Sequence, residues 1–104
     1  MVMAGLVEKV LEFLKDVTDA ALRDGALQSI TFLRDVYRDG KVDAEQVLGD
    51  LKEICHTVLT ATHPDWDETQ IREEAENKAR EFLRYIGVET MADRMRAKYR
   101  SATL

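Results

Sequence analysis

The chain contains one cysteine, one proline, one tryptophan and one asparagine in 104 residues. The lone Cys55 excludes an intrachain disulfide, so no framework of bridges can stand in for a hydrophobic core. With Pro64 as the sole proline, little in the chain breaks a helix. No apolar run approaches the ~20 residues needed to span a bilayer. The short run at the N-terminus is interrupted by Glu8 and Lys9, which is not the pattern of a secretory signal, so an intracellular, cytoplasmic protein is expected. Also missing are a Gly-rich phosphate loop, a dinucleotide fingerprint, a zinc-spaced Cys/His cluster and a Ser/His/Asp set. Nothing can be named a nucleophile, and the expectation is a non-enzyme without cofactors.

What is present is 45% hydrophobic and 34% charged residues, the balance of a folded globular chain rather than a disordered one. Its length suits a single domain, residues 1–104, with a modest core. The formal net charge of −5 argues against a general nucleic-acid or anionic-membrane binder, because phosphate contact requires a basic surface. The charge is uneven: residues 1–71 carry 7 Lys/Arg against 14 Asp/Glu, and residues 72–104 carry 8 against 6. Such asymmetry suits self-association or a partner. Asn occurs once, Gln three times, and Arg outnumbers Lys nine to six, a balance in the direction of thermophilic proteins.

Two stretches share one grammar, Val42-Asp43-Ala44-Glu45-Gln46-Val47 and Trp66-Asp67-Glu68-Thr69-Gln70-Ile71. In each, the Asp is placed to cap a helix by accepting from the backbone N–H three residues on, and the Gln there reaches back to the cap's own N–H. The flanking pairs Val42/Val47 and Trp66/Ile71 form hydrophobic staples across each cap. Helical spacing of Leu6, Val7, Val10, Leu11, Phe13, Leu14 and Val17 marks a first helix, and Leu22, Ala26, Ile30, Leu33, Val36 and Tyr37 mark a second. They meet between Asp16 and Gly25. Either Asp16 or Thr18 caps a second helix in which Gly25 is a close-packing position, or the first helix runs on to Arg23; a break near residues 16–19 is preferred. Asp39-Gly40-Lys41 closes the second helix, and a third is expected over residues 44–62 with one apolar stripe about 140° wide. His63-Pro64-Asp65 is a turn.

A fourth helix is expected over residues 68–86, ended by Gly87. A short fifth follows, capped by Thr90, with Val88, Met91, Met95 and Tyr99 on one side, while residues 101–104 fray. Short connections make sequential helices antiparallel, so the predicted architecture is an all-α, antiparallel four-helix bundle with a short fifth C-terminal helix laid across it.

Four groups of residues invite chemistry. Residues 35–46 resemble an EF-hand or dockerin calcium loop, with Asp35, Asp39 and Asp43 at the first, fifth and ninth positions and Gly40 at the sixth. Tyr37 stands where an oxygen ligand belongs, and Gln46 replaces the twelfth-position carboxylate. The string from Asp39 to Glu45 is also similar to the acidic turn of TerB-like tellurite-resistance domains. Glu53-Ile54-Cys55-His56 resembles half of the motif that di-iron bundles use twice, but both ligands lie about 165° and 135° from the centre of the apolar stripe and should face water. His56 and His63, two turns apart, are spaced for a shared surface metal. Asp50, Glu53, Glu73 and Glu76 are loosely similar to the magnesium acids of MazG-type nucleotide pyrophosphohydrolases without matching their order. Glu76 instead sits four residues before Arg80, an ordinary surface pair. Cys55 falls in the apolar stripe and reads as a small core residue.

The remaining signal is surface. Phe32 lies about 110° off the core stripe of its helix, and Met91, Met95 and Tyr99 stand among Arg94, Arg96, Lys98 and Arg100. Either this C-terminal set closes the open end of the bundle, or it binds a partner. The sequence therefore points first to a helical protein-interaction module, an adaptor, regulator or assembly subunit whose partner is another protein or a second copy in a homodimer. Two alternatives stand beside it. One is a small metal-dependent protein built on Asp35, Asp39 and Asp43 or on the acidic helix faces; the other is a nucleic-acid accessory subunit using the four C-terminal basic residues.

Overall fold

The computed structural model describes residues 5–102 and places them in four packed α-helices: α1 (Leu6–Phe13), α2 (Ala20–Arg38), α3 (Ala44–Thr62) and α4 (Glu68–Ala102). No strand occurs among the described residues. The caps explain where three of the helices begin. Asp43 Oδ1 accepts from Gln46 N–H at 2.8 Å. At α4 the exchange is complete, with Asp67 Oδ1 accepting from Gln70 N–H at 2.9 Å while Asp67 N–H donates to Gln70 Oε1 at 3.2 Å. The cap of α2 is Asp19, three residues beyond the expected Asp16 and one beyond Thr18; its Oδ1 accepts from Leu22 N–H at 3.1 Å. Three capping-type residues crowd this turn, and Val17 between the first two is buried in the connection. Gly25 lies inside α2, but a Cβ there would meet nothing within 4 Å, so it is not the expected close-packing position.

The end of α2 follows a Schellman pattern. Lys41 N–H donates to Val36 O at 2.9 Å, Gly40 N–H donates to Tyr37 O at 3.0 Å, and Gly40 takes a φ of 75° that a side chain would resist.

Cross-helix contacts set the directions. Lys52–Glu76 and His56–Glu68 run in opposite order along α3 and α4, so that pair is antiparallel. Arg34–Glu89 and Arg38–Asp93 run in the same order, so α2 is parallel to α4. Leu6 meets Glu89 while Phe13 meets Phe82, which makes α1 antiparallel to α4. The core is a single cluster drawn from all four helices, including Leu6, Ile30, Leu51, Cys55, Phe82 and Ile86. Phe82 is edge-on to Phe13, with ring centroids 5.5 Å apart.

There is no separate fifth helix among the described residues. Gly87 does not end α4, and Thr90 is a buried mid-helix residue, 3% exposed, rather than a cap. One interior glycine costs a helix only about 1 kcal/mol, and here three long-range contacts hold the chain beyond it. Glu89 Oε2 accepts from Leu6 N–H at 2.9 Å, capping α1, whose own N-cap residue Gly5 has no side chain to offer. Arg34 lies 3.7 Å from Glu89, and Arg38 lies 3.9 Å from Asp93. The helix reaches Ala102; of the residues expected to fray, 103 and 104 lie outside the described ones. At about 1.5 Å per residue, the 35 residues of α4 account for most of the 57 Å long axis of the molecule, against 28 and 24 Å in the other directions.

Candidate interaction surfaces

Past Asp93, α4 outruns its neighbours. Every residue from Arg94 to Arg100 is exposed. Val88, Met91, Met95 and Tyr99 are 61%, 65%, 57% and 62% exposed. At 100° per residue these four fall in a stripe about 80° wide, centred about 155° from the buried face formed by Ile71, Ala75, Ala79, Phe82 and Ile86. The stripe therefore points away from the bundle and does not close its end. Arg94 and Lys98 line one flank, with Arg96 and Arg100 on the other. Arg96 is paired with Asp93.

Phe32 stands elsewhere, 64% exposed on the side of α2 that faces α3. It overhangs an open groove of about 580 Å³ with Asp50 and Glu53 on the α3 rim and Leu33 and Ile54 beneath. The groove continues into a second hollow of about 250 Å³ past Gly25, Ala26 and Val58, and the two share Ser29 and Ile54. Gly25 and Ser29 keep this floor low. Asp50 and Glu53 carry no ion-pair partner among the described residues, and neither do Arg94 and Lys98. The structure thus does not bring Phe32 together with the α4 stripe; one molecule carries two separate apolar surfaces of opposite charge.

The acidic turn is occupied by structural work. Asp35 lies 3.1 Å from Arg34 and 3.6 Å from Arg38, Asp39 lies 3.6 Å from Arg38, and Asp43 caps α3. Among the described residues no three His, Cys, Asp or Glu side chains gather in a way that could hold a metal ion. Glu53 and His56 do not converge either, for Glu53 is exposed and the Glu68 carboxylate accepts from His56 Nε2 at 2.7 Å. That bond, reinforced by Arg72 at 3.2 Å, holds Glu68 below the usual carboxylate range. Lys52, with Arg80 behind it, does the same to Glu76. His63 turns the other way and stacks on Trp66, the ring centroids 3.8 Å apart at 11°. The Cys55 thiol is buried, and desolvation pushes it up to about 12, the opposite of what a reactive thiolate needs.

Sequence reasoning missed Glu89 and read Thr90 as the cap of a separate helix. Glu89 is 83 positions from the N–H it caps, a separation that no local pattern encodes. The Thr90 hydroxyl is buried without a hydrogen-bond partner among the described residues; a threonine amid helical apolar spacing was the only available signal. None of the described helices is long and apolar enough to cross a membrane. No protein-family model, curated protein or solved structure matches this chain.

Proposed function

We propose that this chain is a non-enzymatic helical interaction module, an adaptor, regulator or assembly subunit, that works through the outward face of the second half of α4. The observation that supports this most is the stripe of Val88, Met91, Met95 and Tyr99, directed away from the core that a monomer would use to bury it. Scattered single apolar residues on a surface need no explanation, but four in register over three helical turns, with basic flanks, have the i, i+3, i+7 spacing of a helix face that docks against another. Methionines suit such a face because their unbranched side chains adapt to the partner. The Cys55 thiol is buried and pushed up to about 12, and His56 and His63 are engaged by Glu68 and Trp66.

The test is the paired substitution Met91→Glu with Met95→Glu. Analytical ultracentrifugation of the wild type, and its co-purification from native cells, should show an assembly that the double variant loses while its thermal melting stays within a few degrees. An assembly unaffected by the two charges would overturn the reading, as would a double variant that unfolds because the stripe is packed in the monomer.

A further inference from the structure

Resting on that reading, we infer that the occupant of the α2/α3 groove is the projecting end of α4 from a second copy of this chain, exchanged reciprocally in a closed dimer. Three observations on the two surfaces agree. The first is length. From Val88 to Tyr99 the stripe advances about 16 Å, and the groove between Ala21 and Leu33 of α2 runs about 18 Å, so three turns of helix fit end to end. Gly25 and Ser29 on the floor let a helix approach closely, and Phe32 offers an aromatic wall for the methionines to lie against.

The second is charge. Asp50 and Glu53 rim the groove without ion-pair partners, and Arg94 and Lys98 flank the stripe in the same condition. Spaced three and four residues apart on their helices, each pair presents one charged edge. Complementary edges of this kind fix register and speed encounter. The chain as a whole repeats the pattern, acidic over residues 1–71 and slightly basic beyond, so the basic end of one copy is attracted to the acidic part of the other.

The third is area. At about 200 Å² for a large side chain, the exposed parts of the four stripe residues offer roughly 500 Å² per arm. Two reciprocal arms, each covering a similar area of groove, bury about 2,000 Å² in all, within the range of specific stable interfaces. Within one molecule the contact is impossible, because Phe32 and the stripe lie on different sides and α4 is a continuous helix. A two-fold arrangement satisfies both surfaces of both copies and leaves nothing open to propagate a filament.

Sedimentation equilibrium with charge-swapped variants tests this. One variant carries Arg94→Glu with Lys98→Glu, the other Asp50→Lys with Glu53→Lys. The wild type is expected to be a dimer whose dissociation constant rises with salt, and each variant alone should dissociate at least about tenfold more readily, since like charges then face each other. Their equimolar mixture should recover a heterodimer, because both arm-groove contacts regain opposite charge. Circular dichroism melts confirm that each variant is folded. A mixture that stays monomeric overturns the inference, and so does a monomeric wild type. If the Met91→Glu, Met95→Glu variant abolishes assembly but the swapped mixture does not restore it, the stripe is an interface seated on something other than this groove, so the interaction reading survives while the dimer fails.

Discussion

Residues 68–86 and 87–102 of α4 share one uninterrupted helical ladder, yet they present their apolar side chains to opposite sides. The first half buries Ile71, Ala75, Ala79, Phe82 and Ile86 and is tied to α3 by Lys52–Glu76 at 3.3 Å and His56–Glu68 at 2.7 Å. The second half is tied to α2 at its base, through Glu89 and Asp93, and every residue from Arg94 to Arg100 is exposed. The first half is helical because burial rewards it. From Arg94 to Arg100 every residue is exposed, and the helix there rests on local propensity, with Arg94, Met95, Arg96, Ala97 and Lys98 all among the better helix formers. In the function proposed above, the exposed stretch from Arg94 to Arg100 serves a partner, whereas the first half is explained by the fold.

The largest expected effect contrasts one aromatic from each half. Phe82→Ala removes a ring that is 1% exposed and in contact with Phe13, and should cost about 3–5 kcal/mol in urea unfolding. Tyr99→Ala, at 62% exposure, should change stability by no more than about 0.5 kcal/mol. Both are measured in the Arg94→Glu, Lys98→Glu background, so that any association does not enter the comparison. A costly Tyr99→Ala there would mean that the stripe packs within the monomer and that the two halves do not differ as described.

This contrast also explains what was legible in the sequence. Capping chemistry is local, so Asp43 and Asp67 located the starts of α3 and α4, and Gly40 located the end of α2. The third helix was readable end to end because its apolar stripe keeps one phase from Val47 to Leu59. In α4 the phase changes. Val88, Met91, Met95 and Tyr99 follow helical spacing on a different face from Ile71 to Ile86, and a glycine marks the change, which together imitate a new helix. What keeps the backbone continuous is tertiary: Leu6, Arg34 and Arg38, all distant in sequence, bind Glu89 and Asp93. The exposed stripe itself was visible as spacing, but whether it lay inward or outward depended on the direction of a helix whose continuity the sequence did not reveal.

A smaller effect sharpens the boundary between the halves. Thr90 sits just past the last fully apolar position, buried, with its hydroxyl unpaired among the described residues. Thr90→Val keeps the shape and β-branching and replaces the hydroxyl by a methyl group, so it should stabilise the fold by about 1 kcal/mol in the same urea assay. A destabilised variant would show that the hydroxyl has a partner, and that the core ends in a polar contact rather than simply running out.

The smallest effect concerns the charges that fasten the first half to α3. Glu68 titrates below its ordinary value of 4.5, chiefly because His56 donates a hydrogen bond to it, with the charges of His56 and Arg72 adding to the shift. A carboxylate depressed in the folded state contributes stability that is fully present above its unfolded value and is lost as pH falls through the depressed folded value. The difference in melting temperature between the wild type and Glu68→Gln should therefore be present above about 4.5 and close as the pH falls below it, through the depressed folded value. Glu68 is exposed, so salt should shrink the difference at every pH, as expected for a surface ion pair. A difference that persisted unchanged into acid would mean that Glu68 contributes through something other than its charge, since protonation removes the ion pair with His56 and Arg72 but leaves the side chain in place.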